Sequence, residues 1–290
     1  MIFGIDGFTG KHLSRILKQR GYDVWGTTFP GSSPEENSMT CDITDKNGVA
    51  NVLHRAAPDF IIILSAVTFV PDGLDREIYD INLFGPLHIL QAATTLPKAP
   101  RRIIVPSTAH VYGNATEGSL TETHCPNPLS HYALSKYAME QMIRPFRESL
   151  DLVTVRPFNY TGAGQADHFL IPKLVRHFRD CLPEIELGNM DVFRDFSDVR
   201  DVVAAYTILL EAESPPEVLN VCSGDAVCIR QILEWLHELT GHTPEVSVNP
   251  AFVRANEVRY LYGCNEKLCQ LGWRRKYHLQ DTLRWMLRAG

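Results

Sequence analysis

Two short segments carry side chains that can exchange protons. Pro106-Ser107-Thr108-Ala109-His110-Val111-Tyr112-Gly113 follows the apolar run Ile103 to Val105 and gathers two hydroxyls, an imidazole and a phenol. His131-Tyr132-Ala133-Leu134-Ser135-Lys136 reads as the opening of a helix. Tyr132 and Lys136 stand four apart there, on one helical face. An ammonium beside a phenol favours the phenolate, so the pair is expected to bring the Tyr132 pKa down towards the range of an acid/base catalyst. An ordinary tyrosine and lysine on an amphipathic helix would look the same. The Thr108 hydroxyl, ahead of them in the chain, is what sets this pair apart.

A third segment, Gly4-Ile5-Asp6-Gly7-Phe8-Thr9-Gly10, follows Met1-Ile2-Phe3. Its glycines permit a tight turn and close approach of backbone N–H groups to a pyrophosphate at the positive end of the next helix. A purely structural turn can share this spacing. Three residues before Gly4 make a short central strand against the usual ~5 to 6, which leaves room for a natural start upstream. Asp6 is electrostatically unhelpful beside a phosphate unless it points away. Further on, Trp25-Gly26-Thr27-Thr28 offers no carboxylate to a ribose 2'-hydroxyl. That leans the cofactor towards NADPH, with NADH possible.

The elements that position these segments follow from hydrophobic patterning. Short apolar runs at Asp23 to Thr27, Phe60 to Leu64, Arg102 to Val105 and Leu152 to Val155 are separated by stretches long enough for helices. The alternation predicts βαβ units and a parallel sheet. The runs are almost wholly apolar, as in strands covered on both faces, so the sheet is expected to be doubly wound. Beyond Asn159 the pattern loosens, with helices predicted near Phe169 to Asp180 and Val199 to Leu210 and a strand at Val218 to Val221. The expected division is a dinucleotide-binding domain over 1–160, with 196–222 returning to it, and a smaller substrate-binding domain over 161–195 and 223–290.

Composition narrows the function classes. The chain has 290 residues, 44% hydrophobic and 21% charged, with a net charge of -6. Its Lys and Arg residues are scattered, which argues against nucleic acid as a partner. No apolar run approaches the ~18 residues of a membrane span, and no basic-then-apolar leader opens the chain, so no membrane partner and a cytoplasmic location are expected. Seven scattered cysteines without a Cys-x-x-Cys spacing give no metal or disulfide framework.

Taken together, the glycine turn, Thr108 before Val111-Tyr112-Gly113, and Tyr132 with Lys136 resemble the extended short-chain dehydrogenases/reductases. The resemblance continues through Asp42-Ile43, Asn82-Leu83-Phe84-Gly85, Arg156-Pro157-Phe158-Asn159, Gly162-Ala163-Gly164-Gln165, Arg194-Asp195-Phe196 and Asn220-Val221-Cys222-Ser223-Gly224. The later segments are most similar to GDP-4-keto-6-deoxy-D-mannose reductases, close to the GDP-mannose 4,6-dehydratases. The resemblance implies an α/β Rossmann-like doubly wound sheet with a smaller α/β substrate-binding domain.

It also implies roles. Tyr132 would protonate the C4 oxygen of a sugar while NADPH delivers hydride to C4, Lys136 would bind the nicotinamide ribose, and Thr108 would hydrogen-bond the same oxygen. The cofactor would rest against Gly4, Gly7, Phe8, Thr9, Gly10, Thr27, Asp42, Ile43, Leu64, Ser65, Ala66, Asn82, Tyr132, Lys136 and Pro157. Arg194 and Arg254 are the candidates for the substrate pyrophosphate, because an arginine fork matches phosphate oxygens. Thr68, His110, Asn159, Lys173, Leu187 and Glu257 complete the expected substrate contacts. The implied activity is reduction of a GDP-linked 4-keto-6-deoxy sugar, hexose or heptose. An epimerase or dehydratase with tightly held NAD, and a silent nucleotide-binding sensor, are the alternatives. Members of such families often pair through the helices here at about Asp75 to Thr95 and Tyr132 to Glu148, so a homodimer is expected. In the resembling dehydratases an acidic residue stands two positions after the catalytic threonine; here that position is His110.

Overall fold

The computed structural model describes residues 1–32, 37–68, 76–114, 118–252 and 258–289. Its strands are β1 (Ile2–Phe3), β2 (Gly26–Thr28), β3 (Ser38–Thr40), β4 (Phe60–Ile63), β5 (Arg102–Pro106), β6 (Leu152–Pro157), β7 (Asn159–Thr161), β8 (Glu184–Leu187), β9 (Phe193–Arg194), β10 (Phe196–Asp198), β11 (Val218–Val221), β12 (Val227–Cys228), β13 (Glu245–Val248) and β14 (Tyr260–Leu261). The helices are α1 (Phe8–Gln19), α2 (Lys46–Ala56), α3 (Arg76–Tyr79), α4 (Gly85–Ala93), α5 (His131–Met142), α6 (Leu170–Arg179), α7 (Val199–Glu211), α8 (Ile229–Thr240), α9 (Glu266–Gln270) and α10 (Leu279–Ala289).

Seven parallel strands form the main sheet in the order β11-β6-β5-β4-β1-β2-β3. The order reverses between β1 and β4, and in such sheets ligands sit beyond the strand C-termini at that switch point. The strands alternate sides as a pleat requires. Phe3, Ile61, Ile63, Ile103 and Val105 pack on one face with Leu53, Leu90 and Met139 from α2, α4 and α5. Ile2, Ile62, Ile104 and Val153 pack on the other with Leu13, Leu17, Val202 and Leu209 from α1 and α7. Both faces are therefore dry, which is why the strand sequences read as unbroken apolar runs. Truncating Ile62, which is 1% exposed, to alanine would cost about 2 to 5 kcal/mol.

Three sequence expectations are corrected. The strand expected from Asp23 starts only at Gly26, and Asp23 instead accepts a local hydrogen bond from Trp25 Nε1 at 3.2 Å. The middle helix is not continuous: a π-helical turn, Asp80–Phe84, sits between α3 and α4. The helix expected at about Tyr132 to Glu148 ends at Met142 and is followed by a separate 3-10 segment, Arg144–Glu148; the remaining predicted elements form within a residue or two of their expected limits. β11 joins the main sheet beside β6, and residues 268–273 also reach it, through Leu268 and Trp273. A separate apolar cluster joins α6, α8 and α10 to Ile185 and Leu187 of β8. Among the described residues no helix is long and apolar enough to cross a membrane.

Candidate active site

The C-terminal ends of β1, β4, β5 and β6 converge on one edge of the sheet. At β1 the chain turns through Gly4, whose φ of 82° favours glycine. A Cβ there would lie 3.0 Å from both the backbone nitrogen and the hydroxyl of Ser65. At Gly10 a Cβ would lie 2.6 Å from the Ile5 carbonyl oxygen, so the turn and the first turn of α1 can pack this closely only without side chains. Gly7 caps α1 without a side-chain hydrogen bond. The first-turn N–H groups consequently point out of the helix end, as an anion cradle requires. Thr27 Oγ1 accepts from Gly4 N at 3.3 Å and pins the turn. These features fit a dinucleotide pyrophosphate.

The neighbouring loop, Leu64 to Thr68, is held by the π-helical turn. Asn82 accepts from Val67 N at 2.9 Å and donates to Val67 O at 2.9 Å, as a strand partner would. It also reaches Ser135 on α5 at 3.4 Å. The widened turn aims the amide sideways at the loop, a use typical of π-helical irregularities at ligand sites. Ser65 and Ala66 are half-buried and Thr68 is exposed. Asp42 caps its own turn, accepting from the backbone N and hydroxyl of Thr44 at 2.8 Å each. The Ile43 carbonyl oxygen lies 3.0 Å from His88 Nδ1.

After β5, Thr108 is extended and its hydroxyl accepts from His110 N at 3.2 Å, starting a short 3-10 turn. Across from it, Ser130 caps α5 by accepting from Ala133 N, which sets Tyr132 and Lys136 in the first turns. The Thr108 side chain stands against the Tyr132 phenol and favours its ionised form, and the His110 and Tyr132 rings lie 6.2 Å apart, edge to face. Lys136, 4% exposed, donates to the Pro106 carbonyl oxygen at 3.0 Å.

The electrostatics of this cluster differ from the expected lowering of the phenol. Burial pushes the Tyr132 phenol up to about 12, partly offset by the Thr108 side chain, with Tyr160 adding to the rise. Burial also brings the Lys136 ammonium down to about 8, against the pull of Glu140. The four-residue spacing thus places both groups on one helix without letting the lysine dominate the phenol, because desolvation is the larger effect at both.

Several motif residues serve the scaffold. Arg156 is bound by Glu140 at 3.0 and 2.7 Å and donates to the Tyr112 hydroxyl at 3.0 Å. Tyr112 in turn donates to Asn220 Oδ1 at 2.7 Å. Asp195, fully buried, accepts from Ser223 N, Ser223 Oγ and Gly224 N at 2.8 Å each. These bonds lock the ends of β5, β6, β9 and β11 together behind the site.

The expected substrate contacts are more scattered. Asn159 is half-buried, and among the described residues its buried Nδ2 has no hydrogen-bond partner; it follows Pro157 and Phe158 at the end of β6. Lys173 donates to Glu186 O at 2.7 Å and lies over the Phe252 ring. Leu187 packs its side chain into the α6/α8/α10 cluster, and its carbonyl accepts from Asn249 N at 2.8 Å. Arg194 donates to the Phe193 and Arg259 carbonyls at 2.9 and 3.3 Å. Arg254 and Glu257 lie outside the described residues. One residue the motifs did not single out also enters the site: Tyr160, whose hydroxyl meets that of Thr9 at 2.9 Å. Its only sequence signal is its place beside Asn159.

Known proteins are similar to this chain along most of its length. A family model described as GDP-mannose 4,6 dehydratase matches residues 1–286. A GDP-6-deoxy-D-talose 4-dehydrogenase of Aggregatibacter actinomycetemcomitans is 35% identical, covering 92% of this chain and 89% of its own. A GDP-6-deoxy-D-mannose reductase of Pseudomonas aeruginosa is 31% identical over 99% of this chain and 95% of its own. The structure of RMD from Pseudomonas aeruginosa complexed with NADPH superposes with a TM-score of 0.84 at 29% identity, covering 99% of this chain and 97% of that one. A match along nearly the whole length, on a doubly wound sheet with the threonine, tyrosine and lysine at its switch-point edge, makes this chain a member of the GDP-mannose 4,6-dehydratase family of extended short-chain dehydrogenases/reductases.

Proposed function

We propose that the protein reduces the C4 ketone of a GDP-linked 4-keto-6-deoxy sugar, hexose or heptose, with NADPH, NADH also serving, and yields a GDP-deoxy sugar for glycan synthesis. The observation that carries this reading is the Thr108–Tyr132 hydroxyl pair, with an imidazole and no carboxylate at position 110 beside it. The relatives named as a 4-dehydrogenase and a reductase support chemistry at C4 of a GDP-deoxy sugar.

The cofactor, when bound, supplies the hydride. Tyr132 donates its proton to the C4 oxygen, and Thr108 hydrogen-bonds the same oxygen as charge develops there. A phenol held up at about 12 stays protonated across the neutral range, which suits an acid in the reducing direction. Oxidation at C4 needs the phenolate, so it is expected to gain as pH rises. Lys136 supplies a buried cation for the ribose of the cofactor. Elimination of water would need a further base at C5, and His110 in place of an acid weighs against it. Asn159 Nδ2, buried and without a hydrogen-bond partner among the described residues, is assigned to a sugar hydroxyl. Phe84, Leu134 and Met142 are exposed apolar residues on the helices expected to pair, and they support a homodimer.

The test is a screen of GDP-, CDP-, UDP- and dTDP-linked 4-keto sugars with NADPH and NADH, with the products identified by NMR. Turnover confined to GDP-linked ketones with added reductant supports the proposal. Purified protein that carries tightly held NAD and turns over without reductant would replace it with an epimerase.

A further inference from the structure

Helix α1 is tied to a segment far away in sequence by three contacts. The Thr9 and Tyr160 hydroxyls are 2.9 Å apart. The Phe8 ring stacks on Tyr160 with centroids 6.2 Å apart and planes 13° apart. One turn later His12 Nε2 lies 3.0 Å from the Ala163 carbonyl oxygen. All three contacts join the first turns of α1 to residues 160–163, the stretch that begins at β7. Burial raises the Tyr160 pKa and keeps the phenol neutral, so the bond to Thr9 is one between two hydroxyls.

Tyr160 is not needed to hold β7 itself, because β7 pairs with β10 through its backbone. What its hydroxyl fixes is Thr9, in a helix turn that has no side-chain cap and must present its N–H groups in one orientation. We propose that Tyr160 is a positioning residue for the cofactor: it sets the first turn of α1 to receive the pyrophosphate and joins that turn to the strand whose Asn159 is assigned to the sugar. The inference rests on the dinucleotide reading of the Gly4–Gly10 turn. A pre-set turn loses less ordering entropy on binding, so removing the tie should weaken the cofactor without altering the proton donor.

The experiment is NADPH titration followed by nucleotide fluorescence, with no sugar present. Tyr160→Phe keeps the ring stacked on Phe8 and removes only the hydroxyl; Thr9→Val removes the other half of the bond, and Thr9→Ser retains it. Loss of one hydrogen bond predicts a Kd about 2- to 10-fold higher for Tyr160→Phe and for Thr9→Val. The double variant should bind no worse than the weaker single one, and Thr9→Ser, which keeps the hydroxyl, should bind more tightly than Thr9→Val. Should Tyr160→Phe fail to fold, by thermal unfolding, Tyr160→Leu, which also lacks the hydroxyl, takes its place. Unchanged affinity in Thr9→Val, or single effects that multiply in the double variant, would overturn the positioning role while leaving the proposed activity standing. A parent protein that binds neither NADPH nor NADH would overturn the dinucleotide reading and this inference with it.

Discussion

Lys136 Nζ lies 3.0 Å from the Pro106 carbonyl oxygen, so the buried ammonium is anchored at the end of β5, one residue before Ser107 and two before Thr108. Its pKa, brought down from 10.5 to about 8 by burial, falls inside the accessible pH range. The cation is the protonated form, so its population declines as pH rises through about 8. kcat/KM for NADPH reports the free enzyme and is expected to fall above about pH 8. Lys136→Arg, which keeps its charge, should flatten that fall at a lower plateau. A fall that persists unchanged in Lys136→Arg would assign it to another group. The same depression has a stability sign: between about 8 and 10.5 the unfolded chain holds the proton and the folded one does not, so this lysine makes stability rise with pH there.

Tyr132→Phe removes the proposed proton donor and leaves the ring. Turnover should fall by roughly 100- to 10,000-fold, with NADPH affinity nearly unchanged. Fluorescence titration beside steady-state kinetics separates the two. Near-normal turnover would remove Tyr132 from the chemistry.

Glu140→Gln tests the scaffold behind the site. Glu140 and Arg156 have side chains only 5% and 6% exposed, and removing one partner leaves an uncompensated buried charge. The expected loss is about 3 to 5 kcal/mol in denaturant unfolding. Glu140 also raises the Lys136 pKa, so in any variant that still folds the alkaline fall in kcat/KM should move to lower pH. A loss below ~1 kcal/mol with no pH shift would contradict both assignments.

Gly10→Ala would normally favour a helix by up to ~1 kcal/mol. Here the new Cβ would meet backbone carbonyls of Gly4 and Ile5, which cannot swing aside. NADPH binding should therefore be lost or sharply weakened, measured by titration on protein that still shows a cooperative thermal transition. Parent-like affinity would mean that the turn does not hold the pyrophosphate.

The parts of this site legible in the sequence are those set by local rules. Ile61 to Ile63 read as a strand because both faces are buried, and Tyr132 and Lys136 read as one helix face because the spacing is local. The glycine turn was legible for the same reason. Tyr112, Arg156 and Asn220 stood out as motif residues, but their bonds to one another join distant segments, so their scaffold role emerges only in the folded chain. The Thr9–Tyr160 contact spans 151 residues and had no sequence signal. The π-helical turn at Asp80–Phe84 was hidden because its apolar pattern is that of an ordinary helix. The direction of the Tyr132 shift was misread from spacing, since desolvation depends on everything packed around the phenol.

The proposed reductase carries His110 where the resembling dehydratases carry an acid. The most direct measurement pairs two reactions followed by NMR: protein with NADPH and a GDP-4-keto-6-deoxy sugar, and protein with NADP⁺ and GDP-mannose. The proposed activity predicts the 4-hydroxy product in the first and no 4-keto product in the second, since His110 stands where the resembling dehydratases carry an acid. A 4-keto-6-deoxy product from GDP-mannose would contradict it.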